Sequence, residues 1–251
     1  DPYASNRDYT APGGFAREGQ LLDALDGTFI TPQAQPDYTD GAPLAKWRGK
    51  VHVLGFPALL PREVHFEKHD AIRCVFCGSL YPELREPGFA LALFRALNDP
   101  AVTLTMAGAG WERFSADADK TAQEMGAKFV RPGLLPPAAA AALEDSADVL
   151  LSLGNAYDNQ MPSKLFGYFA TGKPVLHLAV SDSDPTLPYL TRYPLALVLH
   201  AKDGTTPGTV KRLADWLHTV AGRHIPYAEA AKLYPEFTPE AVAEAFLKEL
   251  R

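Results

Sequence analysis

The sequence predicts an α/β protein built on a doubly wound parallel sheet, and three observations carry that expectation. Six short apolar runs recur from Ala71 onward, at residues 72–76, 102–106, 128–130, 148–151, 174–178 and 196–199. They are continuous rather than alternating in polarity, as strands covered on both faces are. Segments of helical period stand between them, and a repeated strand–helix order implies parallel pairing through crossover connections.

Before this repeat the pattern is less regular. Residues 1 to about 20 are rich in Pro, Gly and Asp without a period and read as a loop. A short helical pattern follows at 18–25, a brief strand at 27–31, a polar, turn-rich stretch at 32–46 and a second brief strand at 51–54, ended by Gly55-Phe56-Pro57. Within the repeat, helices are expected over 88–97, about 116–125, 137–145 and 162–171. The alanine run inside 137–145 is a strong helix former. A helix at 209–221 closes on Gly222 as its C-cap. Amphipathic patterns at 227–233 and 239–250 finish the chain, the second opened by Thr238-Pro239. No internal repeat is visible.

Bulk composition narrows the partners. The chain has 251 residues, 47% hydrophobic and 22% charged, values of a globular protein with its own core. That length is long for one domain and short for two. A net charge of −6 argues against nucleic acid, which calls for a basic face. It is no obstacle to a small phosphorylated ligand. Cys74 and Cys77 have C-x-x-C spacing, but two thiols cannot complete a tetrahedral zinc site. They sit on and just after an apolar run rather than at a helix start, so they read as structural. No run approaches the ~20 apolar residues of a membrane span. With no leader visible, the cytoplasm is the expected compartment, and the start at Asp1 reads as a cut within a longer protein.

Ligands of open α/β sheets bind beyond the carboxyl ends of the strands, so four loops carry the functional candidates. The first is Cys77-Gly78-Ser79-Leu80, with Arg85 shortly after; it suits either a diphosphate contact or a tight turn beside a surface Arg. The second, Ala107-Gly108-Ala109-Gly110-Trp111, has the G-x-G of a dinucleotide fingerprint, but Arg113 stands where the third glycine belongs. Trp111 reads as a packing residue. The third is Val130-Arg131-Pro132-Gly133, whose amides suit a base edge. The fourth runs from Leu153 through Asp158 to Met161-Pro162-Ser163-Lys164-Leu165. There a polar loop enters a Pro-opened helix whose first N–H groups, with Lys164, make a ready anion site. His65, His69 and His177 read as structural or surface residues, with His177 facing either the core or the crevice.

Pro162-Ser163-Lys164-Leu165-Phe166 with Tyr168, followed by Ala170-Thr171-Gly172-Lys173-Pro174-Val175-Leu176, resembles the donor-site helix of GT-B glycosyltransferases. The resemblance is strongest to retaining enzymes of cell-surface polysaccharide synthesis. Ser146-Ala147-Asp148-Val149-Leu150-Leu151-Ser152 resembles the strand before that helix. The glycine turns at Met106–Gly110 and Val130–Gly133, and the loop Gly78-Ser79-Leu80, fall in the matching order. The likeness runs from about Glu18 to Leu250.

The resemblance implies a donor-binding domain at 58–225. Residues 1–57 would be the tail of an acceptor-binding domain with its linker, and 226–251 helices packing back toward it. It implies a nucleoside diphosphate sugar and a saccharide or glycoconjugate acceptor as partners, with no metal or other cofactor. Gly78, Ser79, Arg85, Met161, Pro162, Ser163, Lys164 and Leu165 would surround the diphosphate. Val130, Arg131, Gly133, Asp158 and Gly167 would surround the nucleoside. The family often carries a ribose-holding Glu where this chain has Gly167, which shifts that role elsewhere, for instance to Asp158. The catalytic base is not assigned, and the isolated chain is expected to be inactive. Peripheral membrane association stays open. The alternatives are a non-catalytic nucleotide-binding or scaffold module, and a nucleotide-sugar epimerase, for which no acid–base pair is visible. The broken fingerprint disfavours a Rossmann dehydrogenase.

Overall fold

The structure is a computed structural model that describes residues 12–249 apart from Lys68 and Asn159. Its first helix, α1 (Gly14–Ala24), starts four residues before the helical pattern at Glu18. The loop expected to about residue 20 therefore ends at Gly13, and its first eleven residues lie outside the described ones. Gly13, at φ 68°, turns the chain into the helix. A Cβ on Gly19 would stand 2.3 Å from the Trp47 ring. Gly19, inside the helix, thus serves close packing.

Strands β1 (Thr28–Ile30) and β2 (Val51–Val53) pair in parallel. The connection, expected as plain turns, contains two 3-10 stretches, Pro32–Tyr38 and Ala45–Lys50. They fold Tyr38 and Leu44 onto Leu22 of α1, making a small core separate from the main one.

The main sheet holds β3 (Ile72–Cys77), β4 (Val102–Ala107), β5 (Phe129–Gly133), β6 (Val149–Leu153), β7 (Val175–Ala179) and β8 (Ala196–His200). All pairs are parallel, in the order β5-β4-β3-β6-β7-β8. The expected doubly wound sheet is present. The order reverses between β3 and β6, so the two loops leaving these strands diverge and open a crevice.

The connecting helices are α2 (Gly88–Leu97), α3 (Ser115–Met125), α4 (Pro137–Asp145), α5 (Lys164–Thr171), α6 (Leu187–Leu190) and α7 (Pro207–Val220). One-turn α6 carries no sequence signal, because four residues show no period. α7 begins two residues earlier than its apolar pattern, since Thr206 caps it through Thr209 N–H and Pro207 suits its first turn. α5 begins at Lys164 rather than Pro162. Its entry is a tighter turn, with Leu165 N–H bonded to the Pro162 carbonyl at 3.2 Å and Phe166 N–H to that of Ser163 at 3.3 Å.

α5 is held from behind by aromatic rings. Phe166 stacks on Phe237 at 3.8 Å, and Phe169 lies between Tyr193 at 4.5 Å and Tyr234 at 4.7 Å. Tyr234 and Phe237 belong to the segment joining α8 (Tyr227–Leu233) to α9 (Pro239–Glu249). α9 in turn reaches the first strands, through Phe246 against Phe29 at 4.8 Å and Glu249 beside His52. Among the described residues, no helix is long and apolar enough to cross a membrane.

Backbone bonds zip together the loops leaving β3, β4 and β5. Gly78 N–H donates to the Ala107 carbonyl at 2.9 Å, Leu80 N–H to that of Ala109 at 2.9 Å, and Gly108 N–H to that of Gly133 at 2.8 Å. This contact explains the G-x-G. Gly108, at φ 145°, would place a Cβ 1.7 Å from the Gly78 oxygen, and Gly110, at φ 89°, one 2.1 Å from the Leu80 oxygen. Both glycines admit a neighbouring backbone, whatever ligand lies beyond.

Gly108→Ala is therefore expected to cost more than ~2 kcal/mol and lower Tm by more than ~4 °C. Gly167→Ala, inside α5 with open space at its Cβ position, is expected to raise Tm by roughly 2 °C. Melting curves showing equal effects of the two substitutions would contradict this reading of the loops.

Candidate functional site

A cleft of about 470 Å³ opens at the carboxyl edge of the sheet, where the strand order reverses. Gly78 and Arg85 line one side, Met161 to Leu165 the other, and Ser152 and Leu153 lie at its floor. Of the eight residues expected around a diphosphate, seven meet here. Ser79 is outside the lining and takes part through its carbonyl, 3.4 Å from Arg85 Nη1.

Arg85 is set by a closed turn. Tyr81 and Arg85 exchange two backbone bonds, of 3.0 and 2.8 Å, around Glu83, which adopts the left-handed conformation at φ 65°. The Glu86 carboxylate takes the Glu83 N–H at 2.8 Å. From this turn Arg85 Nε donates to Asn155 Oδ1 at 3.0 Å. Asn155 is buried, and its Nδ2 donates to the Gln160 carbonyl at 3.0 Å. Asn155 and Gln160 carried no sequence signal beyond membership of a polar loop. A buried amide needs partners, but which partners only the fold shows.

Lys164 lines the cleft, but its ammonium is already engaged. Its Nζ donates to the Cys77 carbonyl at 2.8 Å and lies 2.8 Å from Glu144 Oε1. Glu144, buried at the end of α4, also has Arg62 Nη1 at 3.8 Å. Nothing in the sequence marks this carboxylate, which offsets part of the expected positive potential. Leu165 N–H is likewise already used. The amides of Met161, Ser163 and Lys164 carry no backbone bond among the described residues, and are the donors left for an anion.

The residues expected around a nucleoside do not gather in this cleft. Arg131 and Gly133 line a separate depression with Gly108 to Glu112, where Arg131 pairs with Asp119 at 3.2 Å and lies 5.4 Å from the Trp111 ring. Trp111 itself is buried, a packing residue as expected. Val130 is exposed on β5, and Asp158 is exposed on the loop after β6. Gly167 borders a third hollow, behind Lys164, shared with Phe56, Arg62, Glu144 and Tyr168. Its Cβ position meets nothing within 4 Å.

The histidines divide by position. His65 is exposed. His69 Nδ1 lies 3.2 Å from both Asp148 oxygens, by the amino ends of the strands and away from the cleft. His177 is fully buried between Ser152 and Asp184. Among the described residues, no group of three His, Cys, Asp or Glu is placed to hold a metal ion.

Three positions apart on a strand, Cys74 and Cys77 face opposite sides of the sheet. Burial pushes both thiols up, Cys77 to about 11 with the nearby Glu144 charge adding to the effect. Neither is expected to react with a thiol reagent at pH 8 until the chain unfolds. A colorimetric thiol count of zero in buffer and two in denaturant is the expected result; one or more in buffer would contradict the packing of β3.

No family model matches the chain, and no curated protein does. Solved structures do. Anabaena HepE in complex with UDP and glucose superposes over 100% of this chain and 69% of its own, with a TM-score of 0.60 and 12% identity. A mutant of TarM from S. aureus in complex with Fondaparinux, alpha-GlcNAc-glycerol and UDP gives 0.63 at 10% identity, over 97% of this chain and 48% of its own. Sucrose-phosphate synthase from Thermosynechococcus elongatus gives 0.61 at 16% identity, over 99% and 63%. This chain thus spans about half to two thirds of the length of these proteins. At identities this low the likeness is one of fold, a parallel α/β Rossmann-like sheet with flanking helices.

Proposed function

We propose that this chain is the nucleotide-sugar-binding part of a glycosyltransferase. The observation that carries the reading is the cleft at the reversal of strand order, where Arg85, Lys164 and the amides of Met161, Ser163 and Lys164 meet. A nucleoside diphosphate fits this set of donors. As the sugar–phosphate bond breaks, negative charge grows on the departing diphosphate, and donors fixed in advance lower the cost of that charge. The two structural neighbours solved with UDP support a uridine nucleotide as the first ligand to test. Retention of configuration, a role in polysaccharide synthesis and a cytoplasmic location belong to the same proposal, as does the division at residues 57 and 225.

A second reading, a nucleotide-binding module without catalysis, is favoured by one feature. Glu144 already holds Lys164, and Gly167 leaves empty the place where the resembling family carries a carboxylate.

Calorimetric titration with UDP, GDP and ADP tests the proposal. One nucleotide is expected to bind, with Lys164→Ala and Arg85→Ala each weakening it by roughly tenfold, the worth of a charge-assisted hydrogen bond. Glu144→Gln, which removes the negative charge beside Lys164 and leaves its bond to the Cys77 carbonyl, is expected to strengthen it a few-fold. A folded chain that binds none of the three, or an unchanged affinity in Lys164→Ala, would count against the cleft as a diphosphate site.

A further inference from the structure

A buried polar chain runs from the cleft floor into the sheet. Ser152 on β6 and His177 on β7 stand side by side in the strand register, with Ser152 Oγ 3.0 Å from His177 Nδ1. His177 Nε2 lies 2.9 Å from Asp184 Oδ2. The other Asp184 oxygen accepts from the Thr186 amide at 2.8 Å and the Thr186 hydroxyl at 2.6 Å. Thr186 Oγ1 also lies 3.3 Å from Nε2, but its proton is already given to Asp184. Burial pushes the Asp184 carboxyl up, yet the bonds from His177 and Thr186 outweigh it and hold the group below the usual range. A Cβ on Gly154 would meet Asp184 Oδ2 at 2.6 Å, so the loop leaving the cleft floor is shaped around this carboxylate.

The direction of the chain follows from the chemistry of its end. An ionised carboxylate only accepts, so Nε2 carries the hydrogen. A neutral imidazole with its hydrogen on Nε2 has a bare Nδ1, to which the Ser152 hydroxyl donates. With that proton turned inward, Ser152 has only lone pairs left for the cleft that it lines. Lone pairs repel phosphate oxygens and accept from a hydroxyl.

We propose that Ser152 is a specificity-determining residue that accepts a hydrogen bond from a hydroxyl of the donor sugar. His177 and Asp184 are the positioning residues that fix its polarity. This inference rests on the nucleotide-sugar reading of the cleft.

Asp184→Asn tests the direction while keeping the shape. The carbonyl of the introduced amide can hold both Thr186 bonds and its NH2 group can face Nε2, which must then accept. The imidazole proton moves to Nδ1, and the Ser152 hydroxyl turns toward the cleft. Histidine 15N spectra of the intact chain are expected to show His177 as the Nε2–H form, and as the Nδ1–H form in the variant. An Nδ1–H form or an imidazolium in the unsubstituted chain overturns the proposal.

Binding gives the second readout, in Ser152→Ala, which deletes one atom and does not depend on the fate of Asp184→Asn. Affinity for UDP-glucose is expected to fall about 5-fold, the worth of one neutral hydrogen bond, with UDP affinity within twofold. Equal losses for both ligands, or none for either, overturn the inference alone. Failure of the unsubstituted chain to bind UDP would instead remove the nucleotide reading, and this inference with it.

Discussion

The cleft depends on where α5 lies, and α5 cannot place itself. Eight residues are too few for a helix stable on its own in water, so its position comes from packing. Phe166 and Phe169 are completely buried against rings from the last segments of the chain, Tyr234 and Phe237, and against Tyr193. Leu165, Tyr168, Ala170 and Thr171 are buried as well, which leaves Lys164 and Gly167 as the helix's more accessible positions. Removing a ring of this cluster would cost several kcal/mol, and the cleft would lose the wall that carries its anion donors. The final segment of the chain is therefore part of the site's architecture without touching the site.

The opposite wall is fixed by hydrogen bonds rather than by burial of rings. The loops leaving β3, β4 and β5 continue the sheet by backbone bonds past its last regular residues, at the cost of glycine at two positions. Arg85 emerges from the turn after this seam and is steadied by Asn155 from the far side of the crevice. The two walls are thus tied across the reversal of strand order, again by the Lys164 bond to the Cys77 carbonyl. Both cations named as anion ligands also hold the two walls together. A bound diphosphate would have to share or replace those bonds, and its net gain would be smaller than the bare charges suggest.

Local signals made the fold legible. The six apolar runs, the helices Gly88–Leu97, Pro137–Asp145 and Tyr227–Leu233, and the parallel order all follow from period, cap and turn residues within a few positions of each other. Among the element ends that moved, those at Gly14, Lys164 and Pro207 reflect tertiary contact or cap geometry that periodicity does not encode. Strand β5, expected at 128–130 with a loop after it, runs on to Gly133 because Gly133 pairs with Ala107. The candidate cleft was half legible. Strand ends and a helix entry can be located along the chain, so the loop residues expected together did meet. The residues expected around a nucleoside sit on different elements: Arg131 and Gly133 share one hollow, Gly167 borders another, and Val130 and Asp158 are exposed.

Partnerships between distant residues were decided by the tertiary structure alone. Glu144 meets Lys164, Arg85 meets Asn155, and Asp184 meets His177 and through it Ser152. No spacing announces these pairs, because each joins side chains brought together by strand register or by a crossover connection. Sequence by itself determined the order of the main strands and helices and at which edge a ligand could enter, since these follow from burial period and short-range bonding. Which charges are free, which are spent, and which way a buried hydroxyl points were settled only by the packed chain. The worth of a polar group depends on who stands within hydrogen-bond reach of it, and that is a property of three dimensions.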